Sequence, residues 1–347
     1  MKEFIIRVFK FIPGIAAALI LAAIAMYIES LLPVHIIGAA VIAMFLGMII
    51  NTFLKKGNVL SSGLKFTSKK ILKFAIILLG LSLNIGTILN VGKMSLLVMI
   101  FTLATCFGGG YFIGRALGLN WKLSNLISAG TGICGGSAIA AIAPTIDAED
   151  NDVAYAMSAT FLFDMALIVL FPIMGEAMGM TDQAFGIWAG TAVNDTSSVV
   201  ATGYAFSEAA GDFATMVKLT RTLAIIPTVI TFAVINARLK TKVNENSGGE
   251  KVKANFNILK IFPLFIIGFL LMSVVRSVFD IPSEFVSATK ALSKYLMVAA
   301  LAAIGLNASF KDMKKSGIKP MLHGFIISAL VVVVALVVVV LMGNAFV

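Results

Sequence analysis

Long apolar stretches recur along the whole chain and limit its fold more than any other feature. A helix needs about 20 consecutive apolar residues to cross the hydrocarbon core of a bilayer. The 347-residue chain is 59% hydrophobic and 13% charged, whereas a soluble domain is about 25% charged. The apolar runs are continuous, which is typical of helices and not of barrel strands. We therefore expect an all-α polytopic membrane protein of about 11 transmembrane helices, with cores near 12–28, 34–54, 71–89, 94–114, 124–146, 153–175, 185–205, 213–235, 258–279, 291–308 and 321–343.

The expected organisation is a single membrane transporter domain over 1–347. Helices 1–3 are predicted within 1–89 and helices 9–11 within 258–347. Between them we predict core helices 4–8 within 94–235 and a polar linker at 239–257. The linker is rich in Lys, Glu, Asn and Gly, so we expect it to lie in the cytoplasm.

Basic residues indicate the side of the membrane on which each loop lies. The net charge is +10, and Lys and Arg concentrate in alternate loops, as is typical of cytoplasmic loops. This pattern predicts a multi-pass protein of the bacterial inner membrane, with its N-terminus in the cytoplasm and its C-terminus outside. The acidic loops at 147–152 and 208–212 are predicted on the outer side. The basic residues lie in short loops between apolar stretches, so the expected partner is the lipid bilayer and not nucleic acid.

Two stretches of small and hydroxyl residues resemble each other. Residues 129–141 read AGTGICGGSAIAA, and residues 189–201 read AGTAVNDTSSVVA. Each glycine weakens a helix by about 1 kcal/mol relative to alanine. A broken helix exposes N–H and C=O groups that lipid cannot satisfy, so it is tolerated only beside protein or a polar cavity. We predict two interrupted helices at mid-membrane; close packing of unbroken helices is the alternative.

The two stretches also predict internal inverted repeats, which are common in secondary transporters. A second similarity joins GLSL at 80–83 to GLNA at 305–308. In a count of 11 transmembrane helices, however, helices 5 and 7 run in the same direction, whereas the two members of an inverted pair run in opposite directions. Three explanations stay open: one stretch is a re-entrant hairpin, the segmentation is wrong, or the stretches are not an inverted pair.

Ionisable residues within apolar segments are candidates for function, because burying them in a membrane is costly. Asp164 and Lys218 are the predicted coupling residues. A buried structural aspartate and a lysine reaching the outer interface are the respective alternatives. Lys218 and Arg221 share a helix face, and Arg suits a bidentate oxyanion. The predicted substrate-binding set is Thr131, Cys134, Gly135, Gly136, Ser137, Asn194, Asp195, Thr196, Ser197, Ser198 and Arg221.

Several of these motifs together resemble a known family. GTGICGGSAIAAIAPTI at 130–146 is followed by a helix with Asp164 and by AGTAVNDTSSVVATGY at 189–204. LLGLSLN at 78–84 and GLNASFKDMKKSGIKP at 305–320 fit as well. The chain resembles the YeiH-like, UPF0324-type family of bacterial inner-membrane proteins, whose name assigns them the export of sulfate.

More distantly, the chain is similar to the superfamily of sodium/proton antiporters and bile-acid symporters. That resemblance implies two interrupted helices that cross at mid-membrane, and a core domain that moves against a scaffold or dimerisation domain. It places 131–137 and 194–198 at the crossing and gives Asp164 and Lys218 positions like those of the antiporters' carboxylates and lysine. By analogy it also implies a homodimer.

The leading hypothesis is proton-coupled export of a small inorganic or organosulfur anion, such as sulfate. Asp195 would repel an anion unless it is protonated or paired, so a cation/proton antiporter that uses Asp164 and Asp195, with protons or sodium ions, is the alternative. An intramembrane aspartyl protease is a remote third hypothesis. We expect no enzymatic activity and no cofactor, and no metal site, because His35 and His323 are far apart in the sequence and near predicted helix ends.

Overall fold

A computed structural model describes residues 10–31, 38–53, 58–245, 263–307 and 317–343. All regular structure in these ranges is helical. The helices are α1 (Ile12–Leu31), α2 (Ala39–Phe53), α3 (Asn58–Phe66, a π-helical turn Thr67–Ile71, Leu72–Leu79 and a 3-10 turn Gly80–Ser82), α4 (Ile85–Ala116), α5a (Trp121–Ala129 with a π-helical turn Gly130–Cys134), α5b (Gly136–Ile142 with a 3-10 turn Ala143–Thr145), α6 (Asp150–Ala177), α7a (Asp182–Ala192), α7b (Thr196–Phe206), α8a (Glu208–Thr222), α8b (Ile225–Glu245), α9 (Leu264–Val278), α10 (Ser283–Asn307) and α11 (Ile318–Leu341).

Six helices in the described part of the chain are long and apolar enough to cross a membrane. They are α1, α4, α6, the combined α8, α10 and α11. Large apolar side chains such as Phe53, Phe112 and Leu341 lie on the outside of the bundle, where lipid would solvate them. The all-helical polytopic class is thereby confirmed. The count of about 11 transmembrane helices is not, because two of the predicted helices are hairpins, as shown below.

Two predicted boundaries are wrong. The third predicted helix, 71–89, contains a break: α3 ends at Ser82, and Asn84 caps the start of α4 by accepting a hydrogen bond from Gly86 N at 2.7 Å. The apolar window concealed this break because LSLNIG is apolar on both sides of its asparagine. The predicted linker at 239–257 also begins too early, because α8b continues to Glu245; residues 246–257 lie outside the described ranges.

The segment predicted as helix 5 does not cross but folds back on itself as hairpin α5. Asn120, before α5a, donates to Asp152 at 3.1 Å, and Lys122 Nζ donates to the carbonyl oxygen of Asp147 at 2.6 Å. A straight helix from 122 to 146 would separate these ends by about 36 Å. The chain therefore leaves hairpin α5 at the end where it entered.

The segment predicted as helix 7 is a second hairpin, α7. Ser207, after α7b, donates its hydroxyl to Asp182 Oδ1 at the start of α7a, at 2.5 Å. A straight helix over the same residues would be about 37 Å long. Hairpin α5 precedes α6 and hairpin α7 follows it, so the two hairpins open at opposite ends of α6.

This folding overturns the predicted position of one acidic loop. Lys240, near the end of α8b, pairs with Asp147 at 2.7 Å. The 147–152 loop thus lies at the same end as the basic residues after helix 8, whereas the charge pattern placed it on the other side. The prediction failed because a hairpin and a crossing helix have the same length of apolar sequence. The inverted relation between 129–141 and 189–201 stays a prediction.

The helices pack as two groups. In the first group, which we call the scaffold group, α10 packs against α1, α2 and α3, and α9 packs against the end of α3. The second, the core group, contains α4, both hairpins, α6, α8 and α11. Within it, Trp188 of α7a donates its indole N–H to the carbonyl oxygen of Val332 in α11 at 3.0 Å. Hairpin α7 lies at the boundary, because α7b contacts both α2 and α10.

Candidate functional site

The tips of the two hairpins touch at Gly135 and Asp195. Gly135 has φ of 62° and ψ of −134°, a conformation that residues with a Cβ atom rarely adopt. A Cβ atom here would lie 2.8 Å from Asp195 Oδ1 and 3.2 Å from Asp195 Cα. Glycine therefore permits both the turn and the contact. We call the meeting of the two interruptions, at 130–136 and 193–196, the crossing.

Arg221 of α8a joins both hairpins at the crossing and is fully buried. Its Nε donates to the carbonyl oxygen of Gly132 at 2.5 Å, and its terminal nitrogens donate to the carbonyl oxygens of Thr131 and Thr191. These carbonyls lie near the C-terminal ends of helical segments, where backbone donors run out. The guanidinium group takes the place of those missing donors.

Lys218 lies one helical turn before Arg221 and is also fully buried. Its ammonium group donates to the carbonyl oxygen of Val193 at 2.9 Å and to that of Asn194. Both carbonyls belong to the extended backbone between α7a and α7b. The interfacial position considered for Lys218 is therefore wrong, because this side chain points into the core group and not to the membrane surface.

Asp164 of α6 accepts hydrogen bonds from N–H groups in the same stretch of backbone. Its Oδ1 accepts from Asn194 N at 2.8 Å, and its Oδ2 accepts from Asp195 N at 2.9 Å. The side chain is 1% exposed. Two helices, α6 and α8, thus supply the acceptors and donors that the break in hairpin α7 lacks.

Asp195 begins α7b as its N-cap. Its Oδ2 accepts from Ser197 N at 2.9 Å and from the Ser197 hydroxyl group. A carboxylate at this position stabilises a helix through the free N–H groups and the positive end of the helix dipole. Unlike Asp164, Asp195 is only partly buried.

Four charged groups therefore meet at the crossing, two acidic and two basic, and their formal charges cancel. Among the described residues, no ion pair joins any two of them; each is bonded to the backbone of the hairpins. A backbone polar group left unsatisfied in a membrane costs several kcal/mol, and hydrogen bonds to charged groups contribute about 1.5–3 kcal/mol each. These contacts make an interrupted backbone tolerable at this depth.

Some polar atoms of the crossing have no partner in the described structure. They are the amide nitrogen and oxygen of Asn194 and the hydroxyl oxygen of Thr131. Both side chains are 0% exposed. Because buried polar atoms are nearly always hydrogen-bonded in native proteins, we expect water, an ion or a ligand to complete the bonding of these atoms.

One edge of the crossing is accessible. A Cβ atom at Gly136 would meet nothing within 4 Å, and the neighbouring Ser137 is exposed. Across from them, Asp195 and Thr196 are half-buried. The crossing is thus closed on the side of Arg221 and Lys218, and open beside the first turns of α5b and α7b.

Comparisons with known proteins agree on one family. The family model described as "Conserved hypothetical protein 698" matches residues 13–324. A UPF0324 membrane protein of Clostridium tetani is 55% identical over 339 residues, which cover 96% of this chain and 98% of that protein. The chain belongs to the UPF0324 family of membrane proteins. UPF0324 membrane proteins of Streptococcus pyogenes serotype M18 (40% identity; 94% of this chain, 95% of that protein) and Fusobacterium nucleatum (39%; 84% and 87%) are also similar. No solved structure matches the chain.

The UPF0324 resemblance stated from the sequence is confirmed, whereas the wider superfamily relationship stays a prediction. The structure of this UPF0324 protein brings together at the crossing Thr131, Cys134, Gly135, Asp164, Asn194, Asp195, Lys218 and Arg221. Gly136, Ser137 and Thr196 lie at the open edge, and Ser197 and Ser198 are buried in the first turn of α7b. Their roles in binding and coupling stay predictions.

Sequence reasoning missed the backbone carbonyls of Gly132, Thr191 and Val193, which accept hydrogen bonds from the buried side chains of Arg221 and Lys218. It also misplaced His323. This side chain is fully buried, and its Nε2 lies 3.1 Å from the Ser124 hydroxyl oxygen and 3.0 Å from the carbonyl oxygen of Gly110. The sequence placed His323 near a helix end; α11 begins at Ile318, so His323 lies in its second turn, and its ring packs inside the bundle. His35 lies outside the described residues.

Proposed function

We propose that this UPF0324 membrane protein is a secondary active transporter that carries a small oxyanion, together with a proton, through the crossing. The observation that carries the proposal is the group of unpartnered polar atoms on Asn194 and Thr131. They lie at the tips of two opposed hairpins, deep in an apolar bundle. A purely structural crossing would have no need of polar atoms beyond those that satisfy the backbone.

The charges at the crossing support a solute site over a catalytic pair. An aspartyl protease requires two carboxylates that share and activate a water molecule. Asp164 instead gives both of its oxygens to backbone N–H groups, and Asp195 caps α7b. This geometry favours transport over peptide hydrolysis for the two aspartates.

The open edge suits an oxyanion that arrives with a proton. Ser137 and Thr196 lie on this edge, and the hydroxyl group of each can donate a hydrogen bond to an oxyanion. Asp195 stands beside them and, when ionised, repels an anion. Protonation removes that repulsion and turns the carboxyl group into a hydrogen-bond donor. Anion and proton therefore bind together and move in the same direction.

Export remains favourable with such coupling. A divalent anion and one proton carry one net negative charge. A membrane potential that is negative inside drives this charge outward by about 2.3 kcal/mol per 100 mV. Sulfate is the reference substrate, with sulfite, thiosulfate and small sulfonates as the related sulfur oxyanions.

The boundary between the two helix groups supports alternating access. Ala201 and Ala205 of α7b pack in one apolar cluster with Ala39 and Ala40 of α2, and such small side chains offer little resistance to sliding. The polar contacts at this boundary include an ion-pair cluster: Lys290 of α10 pairs with Glu208 of α8a at 2.7 Å. We propose that the core group moves against the scaffold group and carries the crossing with it.

The test is efflux of ³⁵S-labelled sulfate from proteoliposomes. An internal negative potential combined with an acidic lumen should accelerate efflux, and either gradient alone should do less. Asp195→Asn should abolish the acceleration by protons. Asp150→Asn, an exposed aspartate at the start of α6, is the matched control and should retain it.

Two results contradict the proposal. Absence of flux for sulfate, sulfite, thiosulfate and small sulfonates rules out the anion. Proton movement that is driven by sodium and lost in Asp164→Asn would instead establish the cation/proton antiporter.

A further inference from the structure

We propose that the backbone carbonyls at the hairpin tips form a monovalent-cation site that the protein fills permanently with its own side chains, Lys218 and Arg221. The inference deepens the proposed function, on which its consequence for coupling rests: no sodium ion has to bind at the crossing. The binding claim itself depends only on the geometry.

The carbonyls at the tips are arranged as ligands for a cation. Unwound helix backbone in transporters coordinates cations through its carbonyl oxygens, as do the filters of potassium channels. Here the carbonyls of Val193 and Asn194 converge on the ammonium group of Lys218.

Lys218 occupies the place of an ion because it is bonded as an ion would be. A buried lysine is normally paired with a carboxylate, since an isolated buried charge is very costly. Among the residues that the structure describes, the ion pairs of lysine are those of Lys240 and Lys290. Lys218 instead has oxygen ligands from the peptide backbone, the kind of ligand that suits sodium or potassium.

Arg221 extends the same arrangement to the other hairpin. Its three bonds to the carbonyls of Gly132, Thr131 and Thr191 cross from α7a to the first interruption. The two tethered cations therefore hold the tips together without any dissociable ion. Removal of one of them should leave a cation-shaped vacancy lined by oxygen atoms.

The test creates that vacancy and offers it a free cation. Lys218→Ala removes a propylammonium unit, so n-propylammonium chloride is the probe, with NaCl as the second probe. Tetramethylammonium chloride at the same ionic strength is the control, because it is too large and cannot donate hydrogen bonds. Thermal unfolding of the full chain in lipid nanodiscs reports binding without any need for transport.

Lys218→Ala should melt at a lower temperature than the wild type. Saturating n-propylammonium or sodium should raise its Tm by about 3 °C or more above the tetramethylammonium control. The wild type should not respond to either probe. Lys290→Ala is the matched control: the lysine side chain is 29% exposed and pairs with the carboxylates of Glu208 and Asp212. Such an ion pair contributes about 1 kcal/mol or less, so its loss, and any recovery with the probes, should be small.

The inference is overturned if Lys218→Ala is as stable as the wild type without added cation, or if neither probe exceeds the tetramethylammonium control. It is also overturned if sodium stabilises the wild type. If Lys218→Ala does not fold, Lys218→Gln takes its place, with sodium and lithium as probes and the same criterion. Failure of sulfate flux would leave this result unaffected, and failure of cation binding would leave the anion proposal standing.

Discussion

Replacing Gly135 by alanine is the most direct test of the contact between the hairpin tips. Gly135 has φ of 62° and ψ of −134°, and a residue with a Cβ atom in such a conformation costs about 1–3 kcal/mol. The new Cβ atom would also lie 2.8 Å from Asp195 Oδ1 and 2.9 Å from Asp195 Cβ. Relief of such overlap costs about a further 1–3 kcal/mol.

The two contributions give a destabilisation of about 2–6 kcal/mol for Gly135→Ala. This is a large share of a typical unfolding free energy of about 5–15 kcal/mol. Gly136→Ala is the matched control one residue further on. A Cβ atom there meets nothing within 4 Å, and alanine favours a helix over glycine by about 1 kcal/mol, so this variant should be as stable as the wild type or slightly more stable.

Thermal unfolding in nanodiscs compares the two variants, and labelled-sulfate efflux reports whether the crossing still works. We expect a clear fall in Tm for Gly135→Ala alone, with loss of flux in that variant. Equal melting temperatures for the two variants would refute the close contact between Gly135 and Asp195. The same result would show that neither the backbone conformation nor the contact with Asp195 requires glycine at position 135.

Three further predictions follow from the hairpins and their contacts. The first uses single cysteines in a background without Cys106 and Cys134. Glu149→Cys and Lys122→Cys should react with an impermeant maleimide from the same side of the membrane, and Asp182→Cys should react from the opposite side. Labelling of Glu149→Cys and Lys122→Cys from opposite sides would contradict hairpin α5. Arg221→Ala should lower Tm strongly, and Arg221→Lys should restore little of it, because one ammonium group cannot replace a fork that reaches three carbonyls; full restoration by lysine would contradict this. The hydrogen bond from Lys240, and then that from Asn236, hold the pKa of Asp147 below its usual 3.8, so its stabilising contribution is complete above that pH and is lost as pH falls through the lower folded value. Because Asp147 is 53% exposed, Asp147→Asn should change stability near neutral pH by less than about 1 kcal/mol, with no difference from the wild type in strong acid; a constant difference at every pH would assign the effect to packing.

The sequence was sufficient to predict the helical class and the two interruptions. Long apolar stretches indicate that lipid surrounds the helices, and clustered glycines indicate where a helix is weak. Both signals are local, because each depends only on residues that are close in the sequence. It also selected Asp164, Lys218 and Arg221 as candidates, because charge is costly in an apolar segment wherever the segment lies, and the structure places all three at the crossing. These predictions needed no knowledge of which helices are neighbours.

A re-entrant hairpin was one of three explanations for the conflict over helix direction, but these local signals could not select it or show that there are two hairpins. Residues 121–145 have the length and hydropathy of a crossing helix, and the fold-back depends on one backbone conformation at Gly135. The sequence did contain one relevant signal. If every apolar stretch crosses the membrane, helices 5 and 7 run in the same direction, whereas two hairpins that open at opposite ends of α6 have opposite orientations. The partners of Arg221 were invisible for a different reason: every residue has a carbonyl oxygen, so no residue type marks an acceptor.

The long sequence separation across the crossing has a consequence for biogenesis. The carbonyls of Thr131 and Gly132 receive their donors from a residue that is 90 and 89 positions later in the chain. At about 5–20 residues per second, a ribosome needs roughly 4–18 s to synthesise that interval. During this time the nascent tip lacks the guanidinium group that satisfies these carbonyls in the folded protein. The hydrogen bonding of the first hairpin is therefore completed by the second half of the protein.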